Sequence, residues 1–254
     1  IFAYYNHKDP KEITQEDIIR YLNFIKKQFG SGYDKCRMVA QACSFFYKNI
    51  LRVPYVVPSA FYPRREFKLP NILSEDQVRQ LLKTTINPKH RCILAMFYGS
   101  GLRLEELCHL KMSCIDSKNS AVKIDKGKGN KDRMTIFSKT LLTDLRAYYK
   151  AYRPKVYLFE GRVPGKPMSN GAMQVAVRNA MTNAGFEKGK YSAHSLRHSF
   201  ATHLLDAGTD LHTIKSLLGH SSIETTMVYL HLQKSKRAKL ISPFDQLNLN
   251  GDEQ

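Results

Sequence analysis

The sequence predicts a mainly α, α+β protein of two domains, a helical N-terminal domain and a larger helical domain carrying a small antiparallel sheet. Three observations lead there. Apolar residues recur at i, i+3, i+4 and i+7 along most of the chain, the period of amphipathic helices. Only Val122-Lys-Ile-Asp and Met134-Thr-Ile-Phe alternate with the period of strands, and the glycine-bearing turn Lys126-Gly-Lys-Gly-Asn-Lys-Asp lies between them. From about Pro54 to Pro70 the helical period stops, and Pro54, Pro58 and Pro63 deny continuous helix, as in a semi-extended linker. The expected division is a helical domain over residues 1–62, a linker over 63–71 and a second domain over 72–254.

Each element has a local reason. Thr14 and Asp17 have capping-box spacing, and Ile18, Tyr21, Leu22 and Ile25 form the stripe behind them. Phe29-Gly-Ser-Gly closes that helix. Cys36, Val39, Ala40, Cys43, Phe46, Tyr47 and Ile50 continue as a second stripe, so Cys36 and Cys43 read as buried small hydrophobes. Beyond the linker, Ser74-Glu-Asp-Gln77 starts a helix backed by Val78, Leu81 and Leu82. Further helices are expected from Arg91 to Tyr98, from near Leu102, from Leu141 to Tyr149, from Met173 to Ala184 and from Leu196 to Asp206. Leu211, Ile214, Leu217 and Leu218 make one more, stopped by Gly219, and Ser222 to Leu232 restarts a helix that carries Tyr229. No internal repeat is present.

The 254 residues include 40 Lys and Arg against 22 Asp and Glu, a formal charge of +18. Both sides of Lys68 hold an excess of cations, so the charge is not one detachable tail. On a chain of ordinary globular composition this excess favours polyanionic partners: DNA, RNA or an anionic membrane surface. Ribosomal proteins and basic enzymes share it, so charge selects a partner class and not a chemistry. Five cysteines without dense spacing fit a reducing compartment and free thiols. No apolar run reaches the ~18 residues of a membrane span, and no secretory pattern opens the chain. The expectation is a soluble, cytoplasmic, strongly basic protein. Its opening at Ile1 rather than Met leaves room for residues, or a whole first helix, upstream.

Several chemistries are disfavoured. There is no Gly-x-x-x-x-Gly-Lys-Ser/Thr phosphate loop. His194 and His198 have the i, i+4 spacing of a helical zinc pair, but Ser195, Leu196 and Arg197 between them supply no carboxylate base and one repelling cation. No Asp/Glu triplet is clustered for two magnesium ions. The expectation is therefore no metal and no cofactor. What remains is a dispersed set of phosphate-philic residues. Arg103 follows Tyr98-Gly-Ser-Gly-Leu at the expected first turn of a helix, where anions are favoured and a guanidinium offers a bidentate fork. Lys128 sits in the hairpin turn, as a ligand-facing ammonium or a solvated lysine. His194 and Arg197 share a helix face. His220 follows a helix-ending glycine, the place of a capping histidine as much as a functional one. Tyr229, flanked by Met227 and Leu230, can equally be a core aromatic.

Together, Arg103, Lys128, His194-x-x-Arg197, Leu218-Gly-His220 and Tyr229 resemble the tyrosine recombinase, or phage integrase, family. The resemblance is carried by Tyr98-Gly-Ser-Gly-Leu-Arg-Leu-Glu-Glu-Leu, Gly127-Lys-Gly-Asn-Lys-Asp-Arg, His194-Ser-Leu-Arg-His-Ser-Phe-Ala-Thr-His, and Leu217-Leu-Gly-His-Ser-Ser through Thr225-Thr-Met-Val-Tyr229. Order and spacing match over roughly Leu73 to His231. The resemblance implies a DNA breaking–rejoining fold behind a SAM-like core-binding domain. It implies site-specific DNA recombination through a 3′-phosphotyrosine without metal or ATP. It further implies a homotetramer on two paired double-stranded DNA sites, with room for accessory DNA-bending proteins. Lys128 to His194 is too short for the insertion of integron integrases, which favours a mobile-element or Xer-like branch.

The residue types suit that reaction. A phosphodiester carries one negative charge and its pentavalent transition state about two, which Arg103 and Arg197 can clamp while His194 and His220 add donors. Tyr229 is the implied nucleophile; a phenol with pKa near 10 is only ~0.1% ionised at pH 7, a handicap of about 4 kcal/mol. Lys128 is the expected general acid for the departing 5′-oxygen. Glu106, three residues beyond Arg103, is expected to orient it, a solvated glutamate being the alternative. The tail Lys234-Ser-Lys-Arg-Ala-Lys239, then Leu240-Ile-Ser-Pro-Phe, folds back on its own domain or docks on a neighbour. Two rivals stand beside this reading. One is a type IB topoisomerase or telomere resolvase, with similar chemistry. The other is a non-enzymatic DNA-binding protein, because Leu211 to Leu230 resembles a helix-turn-helix.

Overall fold

The computed structural model describes residue 1 and residues 3–53, 69–125 and 132–232. The chain divides into two units, Ile1–Lys68 and Leu69–Gln254. In the first, helix α1 (Gln15–Phe29) begins where the Thr14 hydroxyl accepts from the Asp17 amide and the Asp17 carboxylate accepts from the Thr14 amide. Two otherwise orphaned donors are satisfied reciprocally. Helix α2 (Tyr33–Phe45) runs on into a π-helical turn, Phe46–Ile50. Ile18, Leu22 and Ile25 of α1 pack with Cys36, Ala40, Cys43 and Tyr47 as a separate small core. Both cysteines are buried in it as apolar residues. Ile50 departs from the expected stripe and is 61% exposed. A π turn holds more residues than the 3.6 of an α turn, so a position three beyond Tyr47 no longer reaches the buried face.

The second unit is organised around one buried helix. Helix α3 (Glu75–Thr84) starts at the Ser74/Gln77 capping box. Helix α4 (Pro88–Ser100) begins three residues before Arg91, because the Asn87 side chain accepts from the His90 amide and Pro88 occupies the first helical position. Cys92, Ile93, Leu94, Met96 and Phe97 are all buried. A helix apolar on more than one side must be surrounded. α4 packs against α6 (Lys139–Tyr152), α7 (Asn170–Asn183) and α8 (Ala193–Asp206). Helix α5 (Leu104–Cys108) follows it. Two final helices, α9 (Leu211–Leu218) and α10 (Glu224–Leu232), pack on α8 and on each other.

The sheet has three strands in the order β1 (Ile115–Asp116), β2 (Ala121–Ile124) and β3 (Arg133–Ile136), all antiparallel. The short β1 carries too few residues to show alternation and escapes a sequence reading. Val122 pairs with Thr135 and Ile124 with Arg133, so these four share the inner face. In β3 the usual polarity is inverted. Met134 and Ile136 lie exposed while Thr135 is buried, its hydroxyl donating to the Ser100 carbonyl at 2.9 Å. The inner position of Arg133 is what brings it to the site.

A second cluster, Phe200, Ala201, Leu205, Ile214, Leu218 and Tyr229, joins α8, α9 and α10. Each large aliphatic or phenyl side chain removed from water contributes about 1.5–3 kcal/mol. Among the described residues, no helix is long and apolar enough to cross a membrane.

Candidate active site

Two helix ends supply the floor of the site. α4 stops at Gly101 and α9 at Gly219, both left-handed, with φ of +60° and +63°. Neither position has room for a side chain. A Cβ on Gly101 would lie 2.4 Å from the Phe200 ring, and one on Gly219 would lie 2.7 Å from Cδ of Arg133. The unpaired carbonyls at such ends carry the negative pole of the helix and attract cations. Here they draw two arginines. The Arg197 guanidinium donates to the Gly101 carbonyl and, at 2.7 Å, to the Leu218 carbonyl. Arg103 donates from one Nη to the Gly219 carbonyl at 2.9 Å.

Glu106 binds this arrangement together. Its carboxylate accepts from the Arg103 amide at 2.7 Å, capping α5, and from the Arg103 guanidinium at 2.8 Å. It also receives a bidentate pair from Arg133 at 2.6 and 2.7 Å, while the Arg133 Nε donates to the Leu217 carbonyl at 3.0 Å. Arg103 is therefore the residue that caps α5, just before its first turn. Its guanidinium turns back across the end of α9 rather than pointing along the helix. Burial works to raise the pKa of Glu106, but the hydrogen bonds from Arg133 and Arg103 outweigh it and hold the carboxyl at about 2. Burial and the neighbouring Arg103 press Arg197 down to about 10, which leaves it charged at neutral pH.

Tyr229 lies on α10 against α8, only 1% exposed. Its hydroxyl stands 3.1 Å from Nδ1 of His198. The His220 ring lies nearly parallel to the phenol, 6.4 Å between centroids, and its Nδ1 is 2.9 Å from the Thr226 hydroxyl. Burial raises the phenol to about 12, against the opposing pull of Arg197 and Arg103. His220 is lowered to about 4 by burial and then by Arg197 and Arg103, and His198 to about 4 by burial, His194 and Arg197. His194, in the first turn of α8, is lowered by partial burial, Arg197 and Arg103. At neutral pH the pocket therefore combines permanent guanidinium charge, uncharged imidazoles and a protonated phenol.

Of the residues expected from the sequence, Arg103, Glu106, His194, Arg197, His220 and Tyr229 fall into one electrostatic neighbourhood. Lys128 lies outside the described residues, as do the linker residues 54–68 and the tail from residue 233. Three further participants carry little signal in the sequence. Arg133 closes the Gly127-to-Arg133 stretch, and strand alternation with Thr135 is the signal that could have placed it on the inner face. His198 has in the sequence only the spacing of a zinc partner for His194, yet it turns to Tyr229. Thr226 has no sequence signal of its own. Among the described residues, no group of three or more His, Cys, Asp or Glu side chains gathers as a metal site.

A helical domain with a small antiparallel sheet thus brings arginines and a buried tyrosine together at two helix ends. Residues 71–236 match the phage integrase family. The putative integrase/recombinase y4qK of Sinorhizobium fredii is 37% identical over 97% of this chain and 80% of its own length. The tyrosine recombinase XerA of Pyrococcus horikoshii is 32% identical, over 90% of this chain and 81% of its own. Among solved structures, the XerH site-specific recombinase bound to palindromic difH substrate, a post-cleavage complex, superposes with a TM-score of 0.71. It is 23% identical and covers 89% of this chain and 71% of that one, a likeness of fold. The chain belongs to the phage integrase family and is a tyrosine site-specific recombinase.

Proposed function

We propose that this recombinase cuts and rejoins double-stranded DNA at specific sites, with Tyr229 as nucleophile. The phenolic oxygen attacks the scissile phosphorus, a 3′-phosphotyrosine forms, and the 5′-oxygen leaves as a hydroxyl. Arg103 and Arg197 clamp the non-bridging oxygens, His220 and His194 donate where charge develops, and Lys128 protonates the leaving oxygen. Glu106 holds Arg103. The phosphotyrosine conserves the energy of the broken bond, so resealing needs neither ATP nor metal. Four copies act on two paired sites, with accessory bending proteins as a compatible addition, and DNA as substrate places the enzyme with the nucleoid. We assign residues 1–62 to a core-binding domain and 72–254 to the catalytic domain.

The observation that carries this reading is the burial of Tyr229 within the field of Arg103 and Arg197. The opposing influences on its pKa fit a nucleophile kept protonated until a phosphate docks. The DNA partner is also what the +18 charge favours. The test is covalent capture: incubation with a nicked recombination site leaves an SDS-resistant protein–DNA adduct, and Tyr229→Phe leaves none. An undiminished adduct in Tyr229→Phe would assign the nucleophile elsewhere.

A further inference from the structure

We propose that His198 is a further catalytic residue, the group that accepts the phenolic proton of Tyr229 as its oxygen attacks phosphorus. This rests on the reading of Tyr229 as nucleophile and adds the fate of its hydrogen. The geometry is direct. Nδ1 of His198 lies 3.1 Å from the Tyr229 oxygen, and among the described residues it is the hydrogen-bond partner that the phenol has. The other imidazoles are otherwise placed. His220 uses Nδ1 on the Thr226 hydroxyl and faces the phenol ring to ring. His194 shares the helix face of Arg197, one turn away from His198 along α8.

The charged surroundings explain how such a base serves only when substrate is present. His198 is half-buried, and burial, His194 and Arg197 all oppose its protonation, so the resting ring is neutral with a lone pair to offer. With its ring hydrogen on Nε2, Nδ1 accepts from the phenol. A docked phosphodiester adds negative charge beside Arg103 and Arg197, and the transition state adds more. That charge offsets the cations that keep His198 from holding a proton. In the forward step the phenolic O–H bond breaks and its proton passes to Nδ1. The oxygen's electron pair forms the bond to phosphorus, the P–O5′ bond breaks, and O5′ takes a proton from Lys128. When a 5′-hydroxyl attacks the phosphotyrosine, Lys128 recovers its proton and His198 returns one to the phenol. The cycle consumes no acid, base or co-reactant.

The experiment is single-turnover adduct formation by the full chain on nicked sites carrying either oxygen or sulfur at the 5′-bridging position. His198→Phe removes the acceptor, whereas His198→Asn keeps a hydrogen-bond acceptor near Nδ1 without its basicity. Both are expected to bind the site like wild type and to form adduct about a hundredfold more slowly. Sulfur leaves as a thiolate without needing a proton, so it should restore Lys128→Ala but not the His198 variants. A wild-type rate in His198→Asn, or its rescue by sulfur, would overturn the proposal. If circular dichroism shows that His198→Phe does not fold, His198→Asn decides alone. Adduct lost in Tyr229→Phe but normal in His198→Asn refutes only this inference. Adduct retained in Tyr229→Phe refutes the reading beneath it.

Discussion

On the arginine side of the site, Glu106 takes hydrogen bonds from Arg103 and Arg133, and Arg103 and Arg197 lock onto the carbonyls where α4 and α9 end. On the tyrosine side, the Tyr229 hydroxyl has one hydrogen bond among the described residues, to His198, and its ring rests between apolar side chains and the His220 ring. The first side is over-determined and the second is held by a single replaceable contact. That division suits the proposed chemistry: stabilising developing charge needs donors fixed beforehand, whereas the proposed nucleophile needs its oxygen free for phosphorus and one partner to take its proton.

The largest test of this contrast is stability. Glu106→Ala strands the Arg133 guanidinium and removes the counter-charge beside Arg103 and Arg197, and breaking a buried ionic network from one side costs about 3–5 kcal/mol. Tyr229→Phe removes one hydroxyl from a filled pocket and is expected to cost about 1 kcal/mol. Urea unfolding of both variants measures the two values. Equal losses would erase the distinction between the two sides.

Acid gives a second, somewhat smaller effect, located on the tyrosine side. The unfolded chain protonates its histidines below about pH 6.5, while His198 and His220 in the folded protein resist until about 4. Protons therefore bind the unfolded state preferentially, and stability present above pH 6.5 is lost as pH falls towards 4. The groups that keep them neutral include His194, Arg197, Arg103 and Arg133. The expected loss is about 3 kcal/mol in all, most of it from His198 because solvent screens the more exposed His220, read as a falling melting temperature across that window. Glu106, held at about 2, keeps its contribution through the same range and yields only as pH falls below about 4.5 towards 2. A flat melting temperature between pH 6.5 and 4 would mean that the histidines are not shielded as described.

The contrast also accounts for what the sequence alone could reveal. Caps and stripes are local, so Thr14/Asp17, Ser74/Gln77 and the stop at Gly219 are readable, as are residues with telling chemistry such as Arg103, His194 and Arg197. The π turn that exposes Ile50 has no residue signature, and the two-residue β1 is too short for any period. Arg133 needs the β2–β3 register before its side chain can be sent inward. His198 reads in the sequence only as the i, i+4 neighbour of His194, and nothing local ties it to Tyr229. Only the packing of α10 across α8 makes it a neighbour of Tyr229. Local hydrogen bonding is legible in a chain; contacts between distant helices are not.

The smallest predicted effect falls where the two sides meet. His220 follows the end of α9, next to the Gly219 carbonyl that holds Arg103, while Thr226 sits one turn before Tyr229, the proposed nucleophile, on α10. Their bond, 2.9 Å between Nδ1 and the hydroxyl, joins the charge-stabilising side to the helix that must deliver the phenol. A threonine hydroxyl donating to Nδ1 leaves the ring hydrogen on Nε2, free to meet a phosphate oxygen. Thr226→Val preserves the shape of this fully buried side chain and removes the donor. Expected are about 1 kcal/mol of lost stability and a roughly fivefold slower adduct rate, equivalent to the same energy. Thr226→Ser should restore both. A stability loss without any change in rate would reduce the bond to packing, and the arginine and tyrosine sides would then be coupled only through the backbone between Gly219 and α10.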